Sequence, residues 1–522
     1  MAHTQHRPIE RAQNVAHRFE IRMARSLVLA TADINGDRRA NIRPLMRTEH
    51  EYLEGLRDGR VVFYRGERVP DVTTHPSLRV GAAHTAIDFR LADDPAHRDL
   101  LLALDPDTRQ TISRYFIIPR RYEDLLKRRE LIETVTRAAK TTVPLVKEIG
   151  SDAMFALMVV TTELGAAGAK YNERIRAFHA RCRDEDLTLA VAQTDVKGDR
   201  SLRPSKQPNP DAYVRIVEER AEGIVVRGAK VHTTNAVYAD EMIVLPTRAM
   251  GPEDKAYAVA FAVKPNTKGI RFLAAPRGFG TTSAFDNPVS STTKMVETLT
   301  VFDDVLVPWA RVFMAGEWQT AGELAKTFVE FHRFTAVSYK TPLLELLVGM
   351  ATLMADYNGI AKAAHVRDKL VQLVMYLETV RGLTKAAALE CQTRAGIAVP
   401  GVVYTNAAKY HFAAHYHEMV KLVQDIAGGL VVTAPMEEDW LNPETRPDME
   451  RYLGGSASAT TEQRLRAVNL VRDITASDLG GYLELLAIHA EGSLETQKLT
   501  ILMDADLAPY RDYATRLAGI SG

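Results

Sequence analysis

The feature of this 522-residue sequence that most limits its fold is a change of hydrophobic period that occurs twice. Between about residues 185 and 312, short apolar runs alternate with Gly, Pro, Asn and Asp, as strands alternate with turns. On both sides of this stretch, apolar residues recur at helical spacing. The strand-length runs are Tyr213 to Glu218, Ile224 to Val231, Glu241 to Leu245, Tyr257 to Val263, Ile270 to Ala274 and Thr298 to Val307. With no helical pattern between them, they predict a compact antiparallel barrel or sandwich.

The two changes of period divide the chain into four predicted parts. These are an N-terminal extension (1–45), an N-terminal helical domain (46–184), a central β domain (185–314) and a C-terminal helical bundle (315–522). The bundle is predicted because long amphipathic segments are separated by short Gly- or Pro-containing breaks. Its predicted helices are Pro342 to Met354, Val366 to Glu390, Asn406 to Ile426 and Glu462 to Leu486. A short hairpin that turns at Arg65-Gly66 is predicted in the second part.

Composition removes several classes of function. The 66 basic residues equal the 66 acidic ones, so nothing favours nucleic acid or an anionic membrane as a partner. No apolar run has transmembrane length, and the N-terminus lacks the features of a secretory signal. Cys182 and Cys391 are the only cysteines and lie far apart, so neither a disulfide framework nor a metal site is indicated. These properties fit a cytoplasmic protein, and that location is our prediction.

A polar loop and the strand after it form the first candidate site. The loop begins at Thr194 and has Gly198 between Lys197 and Arg200. Glycine lets a backbone approach a ligand closely, and Lys and Arg side chains can hold an anion. The strand ends at Thr233 to Asn235, whose polar groups can meet the edge of a heterocycle. The alternative for the loop is a solvated turn in which Arg200 pairs with the neighbouring aspartate.

Two other patterns carry less weight. His411 and His415 stand one helical turn apart and could bind a metal, but no third ligand lies on the same face. A surface helix rich in histidine is the favoured interpretation, and no metal is predicted. Gly278-Phe279-Gly280 lacks the third glycine of a dinucleotide fingerprint, and no phosphate-binding P-loop motif occurs.

The order helices, β domain, helices is that of the acyl-CoA dehydrogenase-like flavoproteins, and local motifs narrow the resemblance. The segments Tyr64–Val69, Gly228–Val231 and Pro288–Ser291 resemble the large component of 4-hydroxyphenylacetate 3-hydroxylase. The segments Thr194–Ser201 and Asp425–Leu430 resemble its relative, 4-hydroxybutyryl-CoA dehydratase. The resemblance runs from about residue 47 to the C-terminus. It implies an α+β, acyl-CoA dehydrogenase-like fold with an N-terminal helical domain, a central antiparallel β-barrel and a C-terminal four-helix bundle.

The resemblance also implies a cofactor, FAD used as FADH2, between the β domain and the bundle. The residues that would contact it, carried over by position, are Gln193, Thr194, Lys197, Arg200, Thr234, Asn235, Ser456, Ser458, Thr460 and Thr461. Thr234 would donate a hydrogen bond near flavin N5. The hydroxyl residues before the helix at Glu462 would meet the ribityl and phosphate part, which also suits the anion affinity of a helix start. An ordinary N-cap is the alternative there.

The dehydratase holds an iron–sulfur cluster with three cysteines and one histidine. The matching positions here are Pro144, Glu148, Tyr339 and His332. One histidine cannot hold a cluster that needs thiolates, so cluster-dependent dehydration is not expected. His332, Lys340 and Glu297 do match the dehydratase pattern, and they are our candidate catalytic residues. An imidazole can shuttle protons near neutral pH, Lys340 can hold a substrate oxygen, and Glu297 can orient either.

The hydroxylase binds its phenol substrate through residues that this chain lacks. The corresponding positions are Ile149, Ala153 and Val191. A more apolar pocket is therefore expected, and 4-hydroxyphenylacetate is not the expected substrate.

The sequence thus predicts a flavin-dependent oxidoreductase. We expect an FADH2-dependent, two-component monooxygenase that hydroxylates an aromatic or other electron-rich small molecule through a flavin C4a-hydroperoxide. A separate NAD(P)H:flavin reductase would supply the reduced flavin, and the resemblance implies a homotetramer, a dimer of dimers. The alternative is a cluster-free flavoprotein dehydratase, isomerase or dehydrogenase acting on an acyl-CoA. A non-catalytic flavin-binding or assembly protein is a third possibility.

Overall fold

The computed structural model of the protein describes residues 46–275 and 283–520. The predicted N-terminal extension and the Gly278-Phe279-Gly280 segment lie outside the described residues. The helices are α1 (Glu49–Gly55), α2 (Arg79–Thr85), α3 (Ile87–Asp93), α4 (Arg98–Leu101), α5 (Tyr122–Ala138), α6 (Glu148–Glu163), α7 (Ala169–Asp184), α8 (Trp318–Tyr357), α9 (Ala364–Leu389), α10 (Val402–Ala427), α11 (Leu430–Thr433), α12 (Glu437–Leu441), α13 (Arg446–Tyr452), α14 (Thr461–Thr475), α15 (Asp478–His489), α16 (Leu494–Asp504) and α17 (Ala508–Leu517).

The strands are short and most of them lie between α7 and α8. They are β1 (Val62–Tyr64), β2 (Glu67–Val69), β3 (Leu102–Leu104), β4 (Thr111–Ser113), β5 (Leu189–Ala192), β6 (Arg215–Glu219), β7 (Gly223–Lys230), β8 (Glu241–Val244), β9 (Val259–Val263), β10 (Ile270–Ala274), β11 (Thr298–Pro308), β12 (Val312–Ala315), β13 (Gln392–Arg394) and β14 (Ile397–Val399). The helical, β and helical order that the sequence predicts is therefore present in the described residues.

The central strands form two open sheets and not a closed barrel. One sheet has the order β2-β1-β10-β11-β7-β6 and the other the order β12-β9-β8-β5. Neighbouring strands are mostly antiparallel, but β1 pairs with β10 and β5 with β8 in parallel. The sheets share one core, in which Phe261 of β9 meets Phe302 of β11 edge-on with ring centroids 5.9 Å apart. The predicted barrel is thus replaced by a packed pair of sheets, which buries the same apolar faces without closing the hydrogen-bond ladder.

The bundle is built around the 40-residue helix α8, which packs against α6, α9, α10 and α14. The predicted start of this helix at Pro342 is wrong, because Pro342 lies inside it. Proline removes one backbone donor, yet the turns before it stay helical because Phe328, Phe331 and Phe334 are buried there. No helix in the described part of the chain is long and apolar enough to span a membrane.

The predicted helix from Glu462 to Leu486 is two helices, α14 and α15. Ser477 separates them, and its hydroxyl accepts hydrogen bonds from the backbone N–H groups of Leu479 and Gly480. A side chain that satisfies these free N–H groups favours a new helix start at this point. The break lets α15 turn toward the β sheets and bring Tyr482 to the candidate site.

Candidate functional site

The loop after β5 is held by a buried ion pair beneath it. Lys230 Nζ lies 2.6 Å from Asp195 Oδ1 and also donates to the carbonyls of Gln193 and Leu245, at 2.7 and 2.9 Å. Thr247 Oγ1 donates to the same Gln193 carbonyl at 2.6 Å. Because a buried ion pair is costly to break, these bonds fix the loop relative to β7 and β8.

Within this loop, Gly198 makes the turn that the sequence requires of it. Its φ is +52°, and a Cβ there would meet the side-chain oxygen of Gln207 at 2.5 Å. The predicted alternative of a pair between Asp199 and Arg200 does not form, because Asp199 Oδ1 accepts from the N–H and hydroxyl of Ser201. The side chains of Lys197 and Arg200 are exposed and form no ion pair with other described residues. They remain available to an anion.

Three segments of the chain meet at the half-buried carboxylate of Glu297, which immediately precedes β11. Thr234 Oγ1, in the turn after β7, donates to its two oxygens at 3.1 and 2.9 Å. Tyr482 OH, on α15, donates to Glu297 Oε1 at 2.6 Å. The predicted candidates Thr234 and Glu297 are therefore direct partners, and they lie where the sheets meet the bundle.

Asn235, a predicted cofactor residue, has both polar ends of its amide bonded within the protein. It is fully buried and takes a left-handed φ of 53°. Its Nδ2 donates to the Pro144 carbonyl at 2.6 Å, and its Oδ1 accepts from the N–H of Val296 at 2.9 Å. Both polar ends of the amide are thus used within the protein. Asn235 thus helps to position the backbone next to Thr234 and Glu297, and its contact with a flavin stays a prediction.

A second cluster surrounds Glu491, a buried residue between α15 and α16. Lys340 Nζ lies 2.8 Å and Lys409 Nζ 3.7 Å from Glu491 Oε2, and the Tyr339 hydroxyl also donates to this carboxylate. Burial alone would raise the pKa of Glu491, but Lys340 and Lys409 outweigh it and hold that pKa at about 2. Burial lowers the pKa of Lys409 to about 7, and the charge of Lys340 adds to this effect. Glu491 therefore stays ionised over the physiological range.

Tyr339 connects the two clusters. Burial raises the pKa of its phenol well above the usual range, and Glu491, Tyr482 and Glu297 raise it further. The phenol therefore keeps its proton at neutral pH and acts as a hydrogen-bond donor. Lys340, a predicted catalytic residue, donates to this hydroxyl at 3.3 Å, and the charge of Glu297, another, also acts on it.

His332, the third predicted catalytic residue, is oriented by Asp152. Its Nδ1 lies 3.4 Å from Asp152 Oδ2, and its ring stacks on Phe328 with centroids 5.3 Å apart. Asp152 is fully buried, pairs with Arg128 at 2.7 Å and accepts from Thr335 Oγ1 at 3.1 Å. Asp152 and Phe328 thus fix the orientation of the His332 ring.

The remaining predicted cofactor residues lie at the far end of the bundle. Ser456 Oγ donates to the Asp356 carbonyl at 2.8 Å and shares a hydrogen bond with Ser458. Thr460 caps α14, as the alternative for this loop predicts, and Thr461 Oγ1 donates to the Glu450 carbonyl at 3.3 Å.

The distance between these hydroxyls and the Glu297 cluster follows from α8. Asp356 lies near the C-terminal end of this helix, and Tyr339 lies near its middle. At 1.5 Å per residue, the two are separated by roughly 25 Å along the helix axis. Asp356, the partner of Ser456, is thus far along α8 from Tyr339 and its bonded cluster.

The positions that match cluster cysteines hold residues with other bonds. Glu148 Oε1 accepts from the Tyr115 hydroxyl at 3.2 Å, and Tyr339 is bonded to Glu491. Burial raises the pKa of Glu148. Both positions are thus occupied by oxygen groups within a packed interior.

The cysteine and histidine side chains of the described residues do not form a metal-binding cluster. Cys182 is buried on α7, and Cys391 follows α9; both are free. The rings of His411 and His415 lie 4.7 Å apart on α10. Within residues 46–275 and 283–520, no group of three or more His, Cys, Asp or Glu side chains could hold a metal ion.

The positions that correspond to the phenol-binding residues of the hydroxylase hold apolar, buried side chains. Ile149, Ala153 and Val191 belong to one core cluster, together with Phe331 and Tyr213. This cluster lies between α6, α8 and the sheet that contains β5. It forms an apolar wall next to the loop of Lys197.

Glu491, Tyr482 and Asp152 were missed by sequence reasoning. Glu491 sits in a short loop before Gly492 and has no periodic pattern around it. Asp152 follows Glu148 by one helical turn in an otherwise apolar helix, and this unusual pair of acids was a usable signal. Tyr482 could not be found, because its partner Glu297 is 185 residues away.

Comparisons with known proteins place this geometry in a family. Models of the 4-hydroxyphenylacetate 3-hydroxylase N-terminal and C-terminal regions match residues 48–314 and 321–519. The chain is 32% identical over 493 residues to 4-hydroxybutyryl-CoA dehydratase/vinylacetyl-CoA Δ-isomerase of Clostridium aminobutyricum, and the match covers 91% of this chain and 100% of that protein. It is 31% identical over 447 residues to the oxygenase component of 4-hydroxyphenylacetate 3-monooxygenase of Thermus thermophilus. This match covers 84% of this chain and 91% of that protein.

Solved structures agree with the sequence matches. An oxygen-tolerant archaeal 4-hydroxybutyryl-CoA dehydratase from N. maritimus superimposes with a TM-score of 0.86 at 29% identity, over 91% of this chain and 96% of that one. The oxygenase component of 4-hydroxyphenylacetate 3-monooxygenase complexed with FAD gives a TM-score of 0.84 at 29% identity. The superposition covers 90% of this chain and 98% of that one. On these matches, the chain belongs to the 4-hydroxyphenylacetate 3-hydroxylase family.

Proposed function

We propose that this protein is the oxygenase component of a two-component monooxygenase, which uses FADH2 and dioxygen to hydroxylate an aromatic or other electron-rich small molecule. The observation that carries the proposal is the replacement of the cluster cysteines. Glu148 and Tyr339 stand at two of those positions with their oxygens bonded to Tyr115 and Glu491. Without thiolates at these positions, a cluster-dependent dehydration is not expected.

The residues at the junction of sheets and bundle fit a flavin by the chemistry of their donors. The Thr194 hydroxyl has no hydrogen-bond partner within the described residues, and the cations of Lys197 and Arg200 are unpaired there. Together with Gln193, they offer neutral donors for a heterocycle and charges for a phosphate; the Thr234 hydroxyl, which now donates to Glu297, would have to exchange that partner to reach a flavin. FAD, when bound in its reduced form, would supply the activation of dioxygen.

The protein's own residues would orient the reactants and exclude water. Thr234 and Tyr482 hold Glu297, so the donors at this point are fixed before any ligand binds. The apolar cluster that contains Ile149 and Val191 would help to keep water from a flavin bound at this junction. His332, oriented by its carboxylate partner, would accept or donate a proton at Nε2.

The separation of the two groups of flavin residues supports the predicted homotetramer. Asp356, to which Ser456 is bonded, lies roughly 25 Å along α8 from Tyr339, whose phenol feels the charge of Glu297. One flavin would touch both groups if two copies of the chain each contributed one of them. We therefore propose a dimer of dimers in which the flavin site is completed by a second copy. Reduced flavin would come from a separate NAD(P)H:flavin reductase.

The proposal is tested by supplying FADH2 from a flavin reductase and NADH to a panel of phenols. Oxygen-dependent formation of a hydroxylated product from at least one phenol, with less hydrogen peroxide released than without the protein, is the expected result. Full conversion of the oxygen consumed into hydrogen peroxide with every phenol would count against it.

A cluster-free flavoprotein acting on an acyl-CoA is the second candidate. The observation that favours it is the 32% identity of the chain to a dehydratase, whose pattern Glu297, His332 and Lys340 match. Anaerobic conversion of 4-hydroxybutyryl-CoA or crotonyl-CoA in the presence of oxidised FAD would support this candidate. If the protein binds FAD and performs neither reaction, a non-catalytic role remains.

A further inference from the structure

A cavity of about 150 Å³ lies between α7, the loop that joins β3 to β4, and the segment that follows β4. The buried residues that line it include Phe116 and Met158, and the exposed ones include Arg120 and Arg176. A cavity of this volume has room for one benzene-sized ring. The space is therefore large enough for a small aromatic molecule, with apolar side chains at its buried end and charges at its open end.

The cavity is separate from the candidate site described above. The hydrogen-bonding partners of Glu297, Glu491 and Asp152 in the described part of the chain do not line it. A ligand bound here would thus leave the junction of the sheets and the bundle free.

A buried histidine in the cavity wall has one nitrogen without a partner. His179, on α7, lines the cavity and is only 4% exposed. Its Nε2 lies 2.9 Å from the Phe116 carbonyl, and because a carbonyl can only accept, Nε2 carries the proton. Burial lowers the pKa of His179 to about 4, so the ring is neutral at pH 7 and Nδ1 is an acceptor. No described residue donates to Nδ1, and a buried acceptor of this kind is normally satisfied by water or a ligand.

Three arginines of the described residues line the cavity, and one of them lacks an acidic partner. Arg183 and Arg120 each pair with an aspartate of the loop between β3 and β4, at 3.0 and 2.6 Å. Arg176 Nε instead donates to the neutral side-chain oxygen of Asn172 at 2.8 Å, and its guanidinium forms no ion pair with the described residues. The cavity therefore carries one positive charge that a bound anion could neutralise.

The free acceptor and the free cation are close together. Arg176 and His179 stand three residues apart on α7, so they share one face of the helix with Cβ atoms roughly 5–6 Å apart. One aromatic ring that carries a carboxylate and a hydroxyl group can reach both side chains. Guanidinium is suited to the carboxylate because it can bind both oxygens at once. The side chains of Phe116 and Met158 would pack on the ring.

We propose that this cavity is a binding site for a small hydroxylated aromatic carboxylate, whose carboxylate pairs with Arg176 and whose hydroxyl donates to His179 Nδ1. The inference does not depend on the proposed function, since it uses residues outside the candidate flavin site. A cavity that holds water alone is the alternative that the experiment tests.

The first measurement compares three ligands on the FAD-loaded wild type. The dissociation constants of 4-hydroxybenzoate, benzoate and phenol are determined by ligand-observed NMR titration. A ligand of this size is expected to bind with a dissociation constant of roughly 1 mM. Benzoate lacks the donor for His179, and phenol lacks the anion for Arg176. Each should therefore bind about ten-fold more weakly than 4-hydroxybenzoate.

The second measurement repeats the titrations on variants of α7. Arg176→Gln should weaken 4-hydroxybenzoate binding by about ten-fold and leave phenol binding unchanged, while Arg176→Lys should retain part of the preference for the acid. Ala180→Phe places a ring in the cavity and should abolish binding of all three ligands. Lys170→Gln is the matched control, because Lys170 is exposed on the same helix but does not line the cavity.

The proposal is overturned if the wild type does not bind 4-hydroxybenzoate at about 10 mM, because the cavity then holds only water. It is equally overturned if Arg176→Gln and Ala180→Phe bind this ligand as Lys170→Gln does, because the ligand then binds elsewhere. Benzoate binding as tight as that of 4-hydroxybenzoate would contradict the bond to His179. Since Arg176 is exposed, its substitution tests the site even if Ala180→Phe fails to fold. Neither measurement involves turnover, so this site can fail while the monooxygenase activity stands, and the reverse.

Discussion

The hydroxyl of Tyr482 donates a 2.6 Å hydrogen bond to the carboxylate of Glu297. This bond joins α15 of the bundle to the segment that enters β11, and Thr234 reaches the same carboxylate from the turn after the neighbouring strand β7. The junction that we assign to the flavin is therefore braced from both sides by side chains. Its rigidity depends on a contact between residues that are far apart in the sequence.

Loss of the hydrogen bond between Tyr482 and Glu297 should lower the free energy of unfolding by a measurable amount. Tyr482→Phe leaves the ring in place and removes one hydrogen bond to an ionised group, so we expect the free energy of unfolding to fall by about 1–2 kcal/mol. Urea unfolding at pH 7 measures the change. Tyr452→Phe, on an exposed tyrosine, is the control and should have no effect. Equal stability of the two variants would show that the bond does not brace the junction.

The buried ion pair of Arg128 and Asp152 should contribute far more to the free energy of unfolding than an exposed ion pair does. Asp152→Ala leaves a buried guanidinium uncompensated and should cost about 3–5 kcal/mol. Asp107→Ala breaks the exposed pair with Arg120, at 2.6 Å, and should cost less than about 1 kcal/mol. Urea unfolding of both variants, side by side, tests this contrast. Similar losses would contradict the assigned burial.

Lys409 should make the protein more stable as pH rises above 7. Burial lowers its pKa to about 7 in the folded state, whereas an unfolded lysine has a pKa near 10.4. Between these values the unfolded chain binds the extra proton, so the free energy of unfolding gains up to about 1.4 kcal/mol per pH unit from this group. Lys409→Met should remove that gain. The exposed Lys421, on the same helix, is the control, and Lys421→Met should keep the wild-type slope.

Asp88 should have the opposite dependence on pH. It is buried beside Glu148, and burial followed by the charge of Glu148 raises its pKa well above the usual value. The folded state then holds a proton that the unfolded carboxyl has lost, so this group reduces stability as pH rises from about 4. Asp88→Asn should become more stable than the wild type by a margin that grows between pH 4 and pH 8. Thermal unfolding across this range measures the margin, and a constant margin would contradict the prediction.

The elements of the fold could be predicted where a local pattern marks them. The run from Ile270 to Ala274 is a strand with those same bounds, because its apolar residues alternate and turns flank it. Strand β5 was not predicted, since all four of its residues are buried and give no alternation. The open sheets could not be predicted either, because the parallel pairing of β5 with β8 depends on contacts between distant segments.

The residues of the candidate site could likewise be predicted only where a local pattern marks them. Lys197 and Thr234 were recognised from a loop motif and a strand end, which are local features. Glu491 was not, because its partner Lys340 is 151 residues away and no motif surrounds it. Asn235 was assigned to the cofactor from position alone, and only the structure reveals that its amide is bonded to Pro144 and Val296.

The central claim is that this protein controls the reaction of reduced FAD with dioxygen. The most direct measurement mixes the protein, loaded anaerobically with FADH2, with oxygenated buffer in a stopped-flow instrument and follows the return of oxidised-flavin absorbance. The account predicts that this return is delayed relative to free FADH2, and that the delay shortens in Thr234→Ala with more hydrogen peroxide released. Reoxidation at the rate of free flavin, with one hydrogen peroxide per flavin, would contradict it.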